Sequence, residues 1–179
     1  MDSSSLKETL SFLIMKTLTI VRHAKSSWET SADDHDRPLN DRGMIAAPRV
    51  GSAIAEKGKI PDIIISSTAL RAATTAKLIA KEIGIKDSLI QYDEQLYLAS
   101  IRDYEEVISR LNEEDGTEHV MVVSHNPGSH ELCHYLTGDD SIDRFITCAV
   151  ARIDLDIEFW GQIGSKTGKL IEFFTPHDI

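Results

Sequence analysis

Arg22-His23 and Ser124-His125 each close an apolar run of strand length, Leu18 to Val21 in the first case and Val120 to Val123 in the second. Between them, Ile63-Ile64-Ile65-Ser66 leads through Ser67-Thr68 into a helical series that carries Arg71 in its first turn. Arg and His together suit phosphoryl chemistry. A phosphoryl group in transfer spreads its charge over its equatorial oxygens, so a site needs several fixed cationic or N–H donors around one nucleophile. Arginine offers a planar fork that matches two oxygens at once. An imidazole among such cations has its protonated form disfavoured, so His23 is expected to be neutral, with one ring nitrogen free to attack phosphorus. The resulting phosphohistidine is labile enough for water to remove. The helix after His125 is expected to add backbone N–H groups and a positive dipole end. Nothing in this chemistry calls for a metal ion or cofactor. His125, His130, Cys133 and His134 cluster in sequence, but the spacing matches no standard zinc finger, and residues 130 and 134 share a helical face that does not naturally include 125.

These residues meet only if the elements bring them together. His23 and Arg71 are 48 residues apart, and Arg71 and His125 are 54 apart, separations that strand-helix-strand units produce. Asn40 is a fitting N-cap for a helix over residues 41 to about 57, with Pro48 expected to bend it and Gly58 to stop it. A second helix runs from Leu70 to Ile83 and closes at Gly84. A short strand is expected at Leu89 to Tyr92, a helix over Tyr104 to Leu111, and another from Ser129 to Leu136. Continuous apolar strands alternating with helices indicate a parallel sheet covered on both faces. The last forty or so residues differ. Ala149 to Ile157 alternates and Lys169 to Phe174 is apolar, which predicts edge strands, at least one antiparallel. The expected fold is therefore α/β, a three-layer α/β/α sandwich with a mixed, mainly parallel sheet. Ligands of such sheets bind beyond the carboxyl ends of the strands, where Arg22, His23, Arg71 and His125 all fall.

At 179 residues, the chain is long enough for one domain and short for two. With 29 acidic against 19 basic residues and a net charge of -10, neither a nucleic acid nor an anionic membrane is an expected partner. Any anion site must be a local concentration of arginine. Cys133 and Cys148 lie in expected helix and strand interior rather than in a disulfide framework, so a reduced, cytoplasmic setting is expected. Residues 1–14 lack the features of a secretory signal and read as an N-terminal extension, poorly ordered, before a domain over 15–179. The acidic run Glu113 to Asp115 reads as a solvated turn.

Arg22-His23-Ala24-Lys25, Ser66-Ser67-Thr68-Ala69-Leu70-Arg71-Ala72 and Ser124-His125-Asn126-Pro127 resemble the motifs of the histidine phosphatase superfamily, in order and over most of the chain. The segment Asp34-His35-Asp36-Arg37-Pro38-Leu39 resembles its branch of small phosphohistidine phosphatases. The resemblance implies a phosphoglycerate mutase-like fold and a phosphatase that works through a covalent phosphohistidine. It implies His23 as nucleophile, and Arg22, Arg37, Arg71 and His125 as phosphate-binding residues. Asp34 is the implied general acid, with Glu94 in Tyr-Asp-Glu-Gln-Leu-Tyr as the alternative. The superfamily usually has Gly where this chain has Ala24. A phosphorylated substrate is implied as partner, with a phosphohistidine protein foremost. Two other readings compete: a mutase-like phosphotransferase or sugar phosphatase on a small metabolite, and a catalytically silent phosphate-binding module. The 54-residue interval before His125 leaves little room for the insertion that encloses small metabolites, and an intact His23 speaks against a silent module.

Overall fold

The computed structural model describes residues 15–179, so the expectation for residues 1–14 lies outside it. Six strands form one sheet: β1 (Lys16–Arg22), β2 (Ile63–Ser67), β3 (Ile90–Asp93), β4 (His119–Ser124), β5 (Val150–Leu155) and β6 (Gly168–Phe174). Their order is β3-β2-β4-β1-β5-β6. The first four in that order pair in parallel, whereas β5 runs antiparallel to both β1 and β6. The mixed, mainly parallel sheet is thus as expected. The residues of β5 were expected at an edge. Instead β5 lies between β1 and β6, with Ala151, Ile153 and Leu155 buried on one face of the sheet and Val150 on the other.

Four helices cover the sheet: α1 (Asp41–Glu56), α2 (Leu70–Ile83), α3 (Ile101–Ser109) and α4 (Gly128–Thr137). The period-2 geometry of a strand sends successive side chains to opposite faces, and here both directions are apolar. Ile64, Met121 and Val123 pack under Val50 and Ile54 of α1 and Ala76 and Ile79 of α2. Ile63, Ile65, Val120 and Val122 pack under Tyr104 and Ile108 of α3 and Leu132 and Leu136 of α4. These contacts make the three layers. Helix α1 continues past Pro48 without interruption, with Asn40 Oδ1 accepting the Gly43 N–H at its start. Gly84, at φ 76°, ends α2 as expected. Helix α3 begins three residues earlier than its apolar spacing indicated, because Ser100 and Asp103 form a reciprocal capping box. No helix among the described residues is long and apolar enough to cross a membrane.

The acidic turn at residues 113–115 departs from the sequence reading. Glu113 accepts hydrogen bonds from Lys16 Nζ (2.9 Å) and from the Trp160 backbone N–H (2.6 Å), while the fully buried Trp160 ring donates to Thr117 O. Burial opposes the charge on Lys16, but its bonds to Glu113 and Glu118 outweigh this and raise its pKa. Removing one partner of such a pair leaves a charge without compensation. Glu113→Ala is therefore expected to destabilise the fold by about 2 kcal/mol in urea unfolding, a value reduced for the partial exposure of Glu113. Glu113→Gln, which keeps an oxygen for Trp160, should cost less.

Candidate active site

The registers bring the carboxyl ends of the three central parallel strands level. Arg22 pairs with Ser124 across β1 and β4, and Ser66 pairs with Val123 across β2 and β4. Just beyond these ends, Arg22, His23, Arg37, Arg71 and His125 line one cleft of about 170 Å³, together with Lys25, Ser26, Trp28, Leu98, Asn126 and Thr147. The five residues expected to hold and attack the phosphoryl group are thus brought together. The cleft takes Asn126 from the segment after His125 but no residue of α4, and the Ser129 N–H is spent on His125 O. Helix α4 starts at Gly128, which packs against Ala99 and Tyr104.

His23 is buried, and its Nδ1 lies 2.7 Å from the carbonyl oxygen of Ala24. A carbonyl only accepts, so Nδ1 carries the proton and Nε2 presents a lone pair. Arg71 Nε donates to that Nε2 at 3.3 Å. Burial lowers the His23 pKa to about 4, with further lowering by Arg71, Arg22 and Arg37, so the ring is neutral at ordinary pH. The loop after His23 is fixed from α2, where Thr75 Oγ1 accepts the Ala24 N–H and donates to Arg71 O. The methyl group of Ala24 is fully buried beside α2, so the departure from the usual glycine adds apolar contact and leaves the site open.

The rings of His125 and His23 lie 5.1 Å apart between centroids. His125 Nε2 is 2.8 Å from Ser67 Oγ, which already accepts the Ala69 N–H. The Ser67 oxygen keeps a second lone pair as well as its proton, so across this contact the hydroxyl can donate to Nε2 or accept from it. Among the described residues, His125 Nδ1, Arg22 Nε and Asn126 Oδ1 are buried polar atoms without a hydrogen-bond partner, left over for a ligand in the cleft. Burial first, then His23 and Arg71, depress the His125 pKa to about 3. Arg22 is also held by Phe145 O through one terminal nitrogen.

Asp34 takes a different place from a proton donor's. Its carboxylate accepts from Tyr97 OH (2.6 Å), Arg71 (3.0 Å) and Arg37 Nε (3.0 Å), and its backbone oxygen accepts from Arg71 as well. The Tyr97 hydrogen bond, and after it Arg71 and Arg37, hold its pKa near 2. In this arrangement Asp34 has no proton to give at neutral pH and clamps two guanidiniums. Glu94, the alternative acid, is exposed and does not line the cleft. The interval that contains Glu94 instead reaches the site through Tyr97, whose ring stands edge-on to His125 at 5.5 Å, and Leu98, at φ 55°. Trp28 stacks under the Arg37 guanidinium at 3.5 Å and remains 75% exposed. His130 and His134 turn away from the cleft, to Ile142 O and Asp140.

The buried histidines give a pH prediction. His23 and His119 fall to about 4 and His125 to about 3, each from a usual value of 6.5, with burial the first cause. Below 6.5 the unfolded chain binds protons that the folded chain refuses, so stability falls as pH drops toward 4. The slope is up to about 1.4 kcal/mol per pH unit for each histidine. Urea unfolding is expected to give a lower midpoint at pH 5 than at pH 7, and His119→Gln should flatten the difference without touching the cleft.

An α/β sandwich that gathers three guanidiniums and two neutral imidazoles beyond its parallel strands defines a phosphatase of the histidine type. Comparison with known proteins gives the family: the sequence profile described as "Histidine phosphatase superfamily (branch 1)" matches residues 18–97. An uncharacterized protein of Mycobacterium tuberculosis is 30% identical over 165 residues, covering 87% of this chain and 99% of its own. The chain belongs to the histidine phosphatase superfamily. A 2,3-bisphosphoglycerate-dependent phosphoglycerate mutase of Parvibaculum lavamentivorans is 34% identical over 104 residues, which is 56% of this chain and 48% of the mutase. Among solved structures, SixA of Agrobacterium tumefaciens, described as a candidate phosphohistidine phosphatase, superposes with a TM-score of 0.74 at 28% identity. That likeness covers 90% of this chain and 98% of SixA.

Proposed function

We propose that this protein hydrolyses phosphoryl groups through a phosphohistidine on His23 Nε2, without a metal ion, and that its substrate is a phosphoprotein, with phosphohistidine foremost. The observation that carries the reading is the state of His23. It is a buried, neutral imidazole with Nδ1 bonded to Ala24 O and Nε2 directed to the Arg71 guanidinium in an arginine-lined cleft. In the first step Nε2 attacks phosphorus, the bond from phosphorus to the leaving group breaks, and the leaving group departs with its electron pair. Water then attacks the phosphohistidine, releasing inorganic phosphate and returning the electron pair to Nε2. Arg22, Arg37, Arg71 and His125 receive the oxygens.

The leaving group narrows the substrate. With Asp34 held ionised by Tyr97, Arg71 and Arg37, departure of an alkoxide is poorly assisted. A protonated imidazole leaves far more readily, which favours phosphohistidine. The size of the cleft favours a macromolecule: about 170 Å³ is below the roughly 300–1,000 Å³ that encloses a small ligand. Its rim carries Trp28 and Leu98, 75% and 61% exposed, apolar surface suited to a protein partner. The likeness to SixA supports the same substrate class. On this reading residues 15–179 act as one domain, and the buried thiols of Cys133 and Cys148, pushed up to about 12 by burial, suit a reducing cytoplasm.

The test is a rapid-quench trap. Wild-type protein mixed with a phosphoramidate or aryl phosphate in the presence of a chelator should yield a phosphorylated chain that is stable in base and labile in acid. Activity that requires added metal, or a phosphoenzyme stable in acid, would refute the mechanism.

A further inference from the structure

Beside the phosphoryl cleft lies a second one, also about 170 Å³, lined by Lys25, Arg42, Ala46, Arg49, Ile146, Thr147, Pro176 and His177. The two share Lys25 and Thr147 in their linings, so they are neighbours. From these observations, and resting on the function proposed above, we infer that the second cleft is an anion subsite. It receives a carboxylate or second phosphate carried by the substrate next to its phosphoryl group.

The charge distribution carries the argument. In a chain with a net charge of -10, this cleft is lined by Lys25, Arg42 and Arg49 and by no carboxylate. Among the described residues Lys25 and Arg42 form no ion pair, while Arg49 is held by an oxygen of the last residue, Ile179. Asp41, next to Arg42, and Asp178, next to His177, do not line the cleft, and Asp178 accepts from the Thr175 N–H and hydroxyl of its own loop. Cations so concentrated repel one another, and an anion between them relieves that repulsion. Their framework is rigid. Residues 42, 46 and 49 fall on one face of α1 at helical spacing. The start of α1 is locked to Lys25: the Asn40 N–H donates to Lys25 O, and at Gly43 a Cβ would stand 2.2 Å from that oxygen. Only glycine lets the helix approach so closely. The backbone that carries these three exposed cations is therefore fixed relative to His23.

The test compares turnover of phenyl phosphate with that of a phosphate monoester bearing a second anion, in two forms. One is a short alkanediol bisphosphate; the other is a phosphohistidine peptide with Glu beside the phosphorylated residue, set against the same peptide with Gln. KM is expected to be about tenfold lower for the doubly anionic member of at least one pair, and the advantage should shrink as salt shortens the screening length. A preference for the peptide alone assigns the anion to a protein substrate, and one for the bisphosphate alone assigns it to a small molecule. Arg42→Gln combined with Arg49→Gln should abolish the preference and leave kcat and KM for phenyl phosphate unchanged. No preference in the wild type, or a preference that survives the double variant, overturns the subsite. If no substrate is turned over, the proposed function fails. The subsite is then judged by calorimetry, where the bisphosphate should bind the wild type about tenfold more tightly than the double variant does, and equal binding overturns it.

Discussion

His23→Ala is expected to lower kcat/KM for an aryl phosphate by at least about four orders of magnitude and to abolish the trapped phosphoenzyme. The size follows from the role. Removing an arginine weakens the binding of oxygens that other donors still hold, but removing the imidazole removes the atom that forms the bond to phosphorus. Water would then have to attack directly, without the covalent step. The residual rate should be that of the arginine cleft alone, and imidazole added to the buffer should restore part of it by entering the space the side chain leaves. The wild-type profile has a related signature. With the pKa of His23 near 4, activity should be flat above pH 5 on the nucleophile's account and fall with unit slope below 4, as protonation occupies Nε2. Loss of less than tenfold on substitution, with folding intact, would show that another group attacks.

Arg71→Ala should have the second largest effect, about three orders of magnitude in kcat/KM, or about 4 kcal/mol of transition-state stabilisation. This side chain is 3% exposed and joins three parts of the site. Its Nε meets His23 Nε2, and its terminal nitrogens meet the carboxylate and backbone oxygen of Asp34. Arg71→Lys should recover little of the loss, because an ammonium supplies one compact charge where the geometry uses a planar fork with separate directions. The same substitution should be visible without turnover. Asp34 would lose one of the groups that hold its pKa near 2, and its carboxyl resonance should titrate at higher pH by NMR.

Much of this site was legible from residue type and position. A parallel sheet announces itself by continuous apolar runs, and the residue directly after each run must sit at the carboxyl edge, so Arg22, His23 and His125 could be placed from local pattern alone. Arg71 followed from its position in the first turn of the next helix. Arg37 came from resemblance, since it lies in a loop that no periodicity fixes. Other contacts join segments far apart in sequence and leave no local trace. Tyr97 meets Asp34 across 63 residues, Ser67 meets His125 across 58, and Thr75 meets Ala24 across 51. The Tyr-Asp-Glu-Gln-Leu-Tyr segment drew attention to its glutamate, but the turn at residues 94–96 leaves Glu94 in solvent and carries the final tyrosine to the site. The inner position of β5 was hidden for a related reason: alternation tells which faces a strand buries, not which strands lie beside it. Glu113 looked like a solvated acid because its partners, Lys16 and Trp160, stand at opposite ends of the described chain.

The clamp of Asp34 on Arg37 and Arg71 bears on how fast the enzyme can reset. On the proposed function, two of the guanidiniums that bind the phosphoryl group have an internal anion beside them, so inorganic phosphate would compete with a tethered rival that never diffuses away. Such a rival weakens the hold on any ground-state phosphate and shortens the dwell time of the product. Turnover can then stay ahead of product inhibition in a cell where phosphate is abundant.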